Sequence, residues 1–229
     1  MVFANVTEKS DFNIAGGLNV GQVTSGGHLH ANVAISPKFY LSGSFTSYSG
    51  GCSESSTFNG VTTNNTTKYS GKSFLFGFGY YKSLGKHFYF ENALGAKYGN
   101  NANVRAYENF EYRHIKYFLQ PGISYTRKHF QTGIALRLGL IDYLNHATGS
   151  QNTIPKIATE GVSPYVDPAF FICAGGKFIK IGSQISATFS DYSNITFIPV
   201  GSAFSMVSYD ALSFSLFLRI TIPSKITEK

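Results

Sequence analysis

Polar and apolar residues alternate along this chain with a period of two, in runs of about ten residues, and almost nowhere with the period of a helix. The last run is the cleanest. Leu212, Phe214, Leu216, Leu218, Ile220 and Ile222 share one parity, and Ser213, Ser215, Arg219 and Thr221 the other, with Phe217 as the exception. Successive side chains of a strand point to opposite faces, so such a strand is greasy along one whole side. Ile179, Ile181, Ile185, Ala187 and Phe189 repeat the pattern, as do Ile134, Leu136, Leu138 and Leu140, and Phe74, Phe76 and Phe78. The opposite faces carry Ser, Gly, Gln and Thr, whereas a sheet facing bulk water is normally coated with Lys and Glu. The apolar parity therefore reads as an outside turned to hydrocarbon, and the polar parity as an inside.

This alternation predicts ten strands, at 9–20, 27–36, 38–49, 69–82, 86–98, 113–127, 129–142, 163–174, 177–190 and 211–222. Tight turns are predicted at Ser36-Pro37-Lys38, Ser83-Leu84-Gly85, Arg127-Lys128 and Gly175-Gly176. Long polar loops are predicted at 50–68, 99–112, 143–162 and 191–210, and only the first hairpin, through Gly21 to Gly26, lacks one. Short turns at one end and long loops at the other characterise outer-membrane barrels. The expected fold is thus all-β: a single domain over 1–229, a transmembrane antiparallel β-barrel of about ten strands with short periplasmic turns and long extracellular loops. Residues 1–8 are expected to form an N-terminal periplasmic segment and 223–229 a C-terminal tail, with the protein in the bacterial cell outer membrane.

Aromatic girdles are expected at both interfaces. Phe39, Tyr80, Tyr81, Phe88, Tyr125, Phe130 and Phe178 fall near the turns; Tyr48, Tyr69, Tyr98, Tyr112, Tyr143, Tyr165 and Tyr209 fall near the loops. Lys38, Lys82, Lys86, Arg127, Lys128, Lys177 and Lys225 gather at the turn end, where they suit anionic phospholipid head groups. Pro121 and Pro168 fall inside strands on the lipid-facing parity, and a shared bulge or kink is expected there.

Composition agrees with a membrane barrel. Charged residues are 14% against about 25% in soluble domains, aromatics reach 16%, and Gly supplies 24 of 229 positions. No apolar run approaches the roughly 18 residues of a membrane helix. The net charge of +7 is scattered, without a basic cluster or an RNA-binding motif, so nucleic acid is not an expected partner. The opening MVFANVTEKS has no charged segment leading into an apolar core and is read as the start of a mature or trimmed chain.

The segments EKSDFNIAGGLN (8–19), GHLHANVAISPKFYLSGSF (27–45), FGYYKSLGKHFYFENALG (78–95) and YFLQPGISYTRKHFQTGIALRL (117–138) resemble the small outer-membrane β-barrel proteins of Bacteroidetes-type bacteria. The resemblance covers the strands over most of the chain and stops at the long loops. It implies the barrel and outer-membrane lipid as surroundings, but no particular activity, that group being largely without assigned function. It also implies other outer-membrane proteins as partners, since some proteins of this kind are similar to accessory subunits of larger outer-membrane export or assembly machines. Members often begin at a lipid-modified cysteine, and no Cys stands near Met1.

The polar parity supplies the candidate site. Glu91, Lys97, Lys116, Arg137, Lys180 and Arg219 all point inward on this reading, and a lone buried charge costs several kcal/mol. Glu91 among Arg137, Lys180 and Arg219 is therefore expected to form an ion network that plugs the lumen. The excess of positive charge makes a narrow, porin-like, anion-preferring pore the alternative. His28, His30 and His114, with Asp167 and Asp142, are expected towards the loop end, where a His with an Asp orienter suits a surface hydrolase. There is no GxSxG and no distinguished Ser, so an enzyme is not expected and no catalytic residue is assigned. His28 and His30 lack a third metal ligand, and no cofactor or metal is expected. Phe74, Phe76, Phe78, Leu136, Leu138, Ile179, Ile181, Leu216 and Leu218 are assigned to lipid. Cys52, in a loop, and Cys173, near the turn end, are expected to be too far apart to bridge.

Overall fold

The computed structural model describes residues 12–21, 24–58, 61–105, 108–145, 162–190 and 212–222. Within them lie β1 Phe12–Gly21, β2 Thr24–Ala34, β3 Phe39–Phe58, β4 Val61–Ser83, β5 Phe88–Arg105, β6 Glu108–Arg127, β7 Phe130–Asn145 and β8 Val162–Gly175. Then follow β9, Ile179–Ala187 continued over Phe189–Ser190, and β10, Leu212–Ile222. Each strand pairs antiparallel with its neighbours in the chain, and β10 pairs with β1. The sheet is therefore a closed ten-stranded barrel, with no free edge.

Closure carries a stagger. The carbonyl of Phe178 accepts the Thr221 N–H at 2.8 Å, and the register runs on through Asn13, Asn32, Ser42, Gly77, Gly95, Phe118, Gly139 and Tyr165. It ends on Ser190, twelve residues further along the strand that follows Phe178. Such a shear obliges the strands to tilt by roughly 35–45° from the barrel axis.

The two parities separate as the sequence predicts. Phe74, Phe76, Ile179, Ile181 and Leu216 are all more than half exposed, and Phe78, Leu136, Leu138 and Leu218 also stand outward. Water would not tolerate a continuous apolar sleeve, but hydrocarbon does, and a closed ladder leaves few backbone donors unpaired inside it. The short-turn end carries exposed Lys38, Lys82, Lys86, Arg127, Lys128 and Lys177, with Phe39 stacked on Phe78 and Phe88 edge-on to Tyr125.

Several expectations need correction. The spans 50–68 and 99–112 are mostly ladder: β3 pairs with β4 up to Phe58 and Val61, and β5 with β6 up to Arg105 and Glu108. Ser, Thr and Asn occupy both faces there, so the alternation that reveals a strand vanishes, while cross-strand pairs such as Ser53–Thr66 (3.2 Å) and Thr57–Thr62 (3.0 Å) sustain it. The loop-end girdle is also displaced. Tyr48, Tyr69, Tyr143 and Tyr165 share the inward parity, Tyr165 being 2% exposed, and Tyr81 is likewise inward; Tyr98 and Tyr117 stand outward, with Phe74 in register beside Tyr98. Nor do the prolines make a bulge. The register is unbroken across Pro121 and Pro168, and what is missing is the β6–β7 pairing at Pro121 and the β8–β9 pairing at Pro168. The β6–β7 register shifts instead between Arg113 and His114. The segments 1–8 and 223–229, Tyr209, Lys225 and most of the last two expected loops lie outside the described residues.

Candidate functional site

The lumen is built from the inward parity of all ten strands, and glycine makes it fit. Tyr40 lies directly across Gly79, and a Cβ on that glycine would overlap its ring. Tyr165 lies across Gly139 in the same way, where a Cβ would stand 2.6 Å from the ring. Bulk on one strand thus fills the space vacated on the next, so Tyr40, Phe118, Tyr165, Phe171 and Phe217 all pack inside, each under 9% exposed.

Charge occupies two levels. Near the turn end Arg219, 4% exposed, donates from Nη2 to Oε1 of Gln131 at 2.6 Å and reaches Sγ of Cys173 at 3.5 Å. Lys180 is its register neighbour on β9, and Glu91, 3% exposed, supplies the negative charge acting on it. Higher up, Arg137 donates from Nε and Nη2 to Oε1 of Gln120 at 3.2 and 2.8 Å, and its guanidinium lies 4.4 Å from the centre of the Phe118 ring. Asp167 is its register partner and also acts on Lys97 and Lys116; Lys116 Nζ lies 5.2 Å from the centre of the Tyr165 ring. The expected single network around Glu91 is therefore divided, with Arg137 belonging to Asp167 on the upper level. The described charges of these two levels are five cations, Lys97, Lys116, Arg137, Lys180 and Arg219, against Glu91 and Asp167, a formal excess of +3.

Two of the lumen histidines find amides. His30 Nε2 donates to Oδ1 of Asn32 at 2.8 Å, His114 Nδ1 lies 3.3 Å from Nδ2 of Asn101, and His28 packs over Gly17. Asp142, which alternates with buried Ile141, faces outward and is not with them. Among the described residues no three His, Cys, Asp or Glu side chains are grouped as a metal would need. Cys52 and Cys173 are both free, Cys52 lying 3.5 Å from the Tyr69 hydroxyl. An internal cavity of about 90 Å³ remains, lined in part by His28, His30, Lys97, Gln120, Arg137 and Gln184. That is room for several waters at roughly 10–15 Å³ each.

Gln131, Gln120 and Cys173 hold the arginines; the sequence placed Gln120 in the lumen and read Cys173 as a free thiol, and Gln131 was not singled out. Their inward parity was legible, since Gln131 alternates with Phe130 and Thr132; that they meet Arg219 and Arg137 was not.

Among solved structures the chain is similar to OmpT, an outer membrane protein of Vibrio cholerae, with a TM-score of 0.35 and 8% identity over 94% of this chain and 62% of that one. It is similar to an outer membrane channel from Pseudomonas putida F1, with a TM-score of 0.42 and 8% identity over 97% and 100% of the two chains. A mutant of TodX, a monoaromatic hydrocarbon channel, gives a TM-score of 0.37 and 9% identity over 94% and 90%. This chain spans about three fifths of the length of the Vibrio structures. No family model and no curated protein matches it. These likenesses are loose, and the barrel rests on the closed ladder and apolar exterior of the chain itself, which are those of an outer-membrane β-barrel.

Proposed function

We propose that the protein is a self-plugged, non-catalytic outer-membrane barrel of the Bacteroidetes type, acting as an accessory subunit of a larger outer-membrane assembly through its loops or rims. The observation that carries this reading is the contrast between a filled lumen and two hairpins, β3–β4 and β5–β6, that run on as paired ladders beyond the apolar sleeve. A paired ribbon loses less freedom on binding than a loose loop, which suits it to hold a partner. Purification from native membranes in mild detergent tests it: a partner that travels with the protein, and is lost when residues 53–66 are replaced by a two-residue turn, is the expected result. A lone monomer would overturn the subunit role.

The formal excess of +3 in the lumen favours one second reading, a narrow anion-preferring pore. Steady unitary current in planar bilayers, altered by Arg137→Ala, would establish the pore and end the plug.

A further inference from the structure

On the outward face of β2 to β6 the hydrocarbon surface stops within one register row. Leu29, Phe45, Phe74, Tyr98 and Ile115 are joined in register, the Phe45 and Phe74 rings 4.9 Å apart between centres. The next outward row, towards the loops, is Gly27, Ser47, Lys72, Asn100 and Arg113. Lys72 and Arg113 are exposed and flank Asn100, two inter-strand spacings or roughly 10 Å apart, and exposed Lys68 lies one turn of the outward parity beyond Ser70. Ser47, Ser49, Ser70, Lys72 and Asn100 line an open groove of about 600 Å³, floored by Gly27, where a Cβ would meet nothing within 3.5 Å.

We infer that this groove binds the phosphorylated saccharide headgroup of an outer-leaflet glycolipid. Three features converge on that chemistry. The cations stand immediately above an apolar surface formed by Leu29, Phe74 and Phe76, so an acyl chain lying on the surface brings its headgroup phosphate to Lys72 and Arg113. The hydroxyl and amide lining offers a sugar the donors and acceptors that a simple glycerol headgroup does not use. The acidic residues nearest the row are Asp142, opposite Ile115 on the apolar row, and Glu111, two residues beyond Arg113 on β6; both adjoin the Arg113 end, which leaves the Lys72 side of the groove open to an anion. The site depends on the loop end facing outward, and not on any accessory-subunit role.

The test uses the full chain in mild detergent, with native mass spectrometry titrations of lipid A, dephosphorylated lipid A and phosphatidylglycerol. Lipid A is expected to bind one to one, and Lys72→Gln with Arg113→Gln to weaken it about 25-fold, about fivefold per cation removed. The paired control Lys38→Gln with Lys86→Gln, at the turn end, is expected to leave it unchanged. Both pairs are exposed, and heat-modifiable gel mobility checks that each variant is folded. Unchanged lipid A affinity in the Lys72/Arg113 variant would overturn the site. Equal weakening by the control pair, or phosphatidylglycerol binding as tight as lipid A, would overturn it too by showing general attraction between a cationic protein and anionic lipid.

Discussion

Arg219 on β10 holds Gln131 on β7 across the lumen, Nη2 to Oε1 at 2.6 Å, although the two are 88 positions apart in the chain. Gln131 is fully buried and Cys173 shares the same guanidinium. Removing the arginine strands Glu91 without that cation and leaves the Gln131 carbonyl to the weak Cys173 thiol donor at 3.7 Å. Arg219→Ala is expected to cost about 3–5 kcal/mol, the range for breaking a buried charged pair. Urea unfolding in lipid vesicles followed by circular dichroism measures it; a loss under about 1 kcal/mol would mean the lower level is not a stabilising plug. Arg219→Lys should rescue little, since an ammonium cannot serve Gln131 and Cys173 with the same planar fork.

The Tyr40 and Gly79 pair predicts a coupling. Gly79→Val should destabilise by about 1–3 kcal/mol, because the added carbons enter the space of the tyrosine ring. In a Tyr40→Ala background that penalty should largely disappear, and a double-mutant cycle reads the difference. Additive effects would show that the ring does not occupy the glycine's face.

Lipid contact can be separated from barrel packing by comparing two outward positions. Phe76→Arg, in the apolar sleeve, is expected to cost about 2–4 kcal/mol in vesicles, and Thr62→Arg, exposed at the end of the β3–β4 ribbon, less than about 1 kcal/mol. Equal costs would place both residues in the same solvent and remove the membrane boundary drawn between Phe74 and Lys72.

The free cysteines report orientation. Cys52 lies on the ribbon beyond the apolar rows and is half-buried, whereas Cys173 is 2% exposed. A membrane-impermeant maleimide applied to intact cells is expected to label Cys52 slowly and to leave Cys173 untouched until the protein is unfolded. Labelling that appears only after the outer membrane is permeabilised would invert the barrel.

The sequence was most informative where one face meets hydrocarbon. Leu212 to Ile222 is the clearest case: every second residue must be apolar to face lipid, so parity alone assigns Leu216 and Leu218 outward and Ser215 and Arg219 inward. The same logic failed at Ser53–Thr66, where the outward residues of the ribbon are exposed beyond the apolar rows and polar residues occupy both parities, so nothing demands alternation. It also misassigned Tyr48, Tyr69 and Tyr165, because nearness to a loop was weighed above parity.

Pattern along the chain therefore determined the solvent of each side chain, the number of strands and the barrel class, since all three follow from nearest neighbours two residues apart. Register and closure decided the rest. The register of neighbouring strands sets Arg137 against Gln120 and Asp167 and seats Tyr40 on Gly79, and the twelve-residue stagger of the closed cylinder brings Arg219 to Gln131; such meetings depend on how far each strand slides past the next, a quantity that no single strand's hydropathy contains.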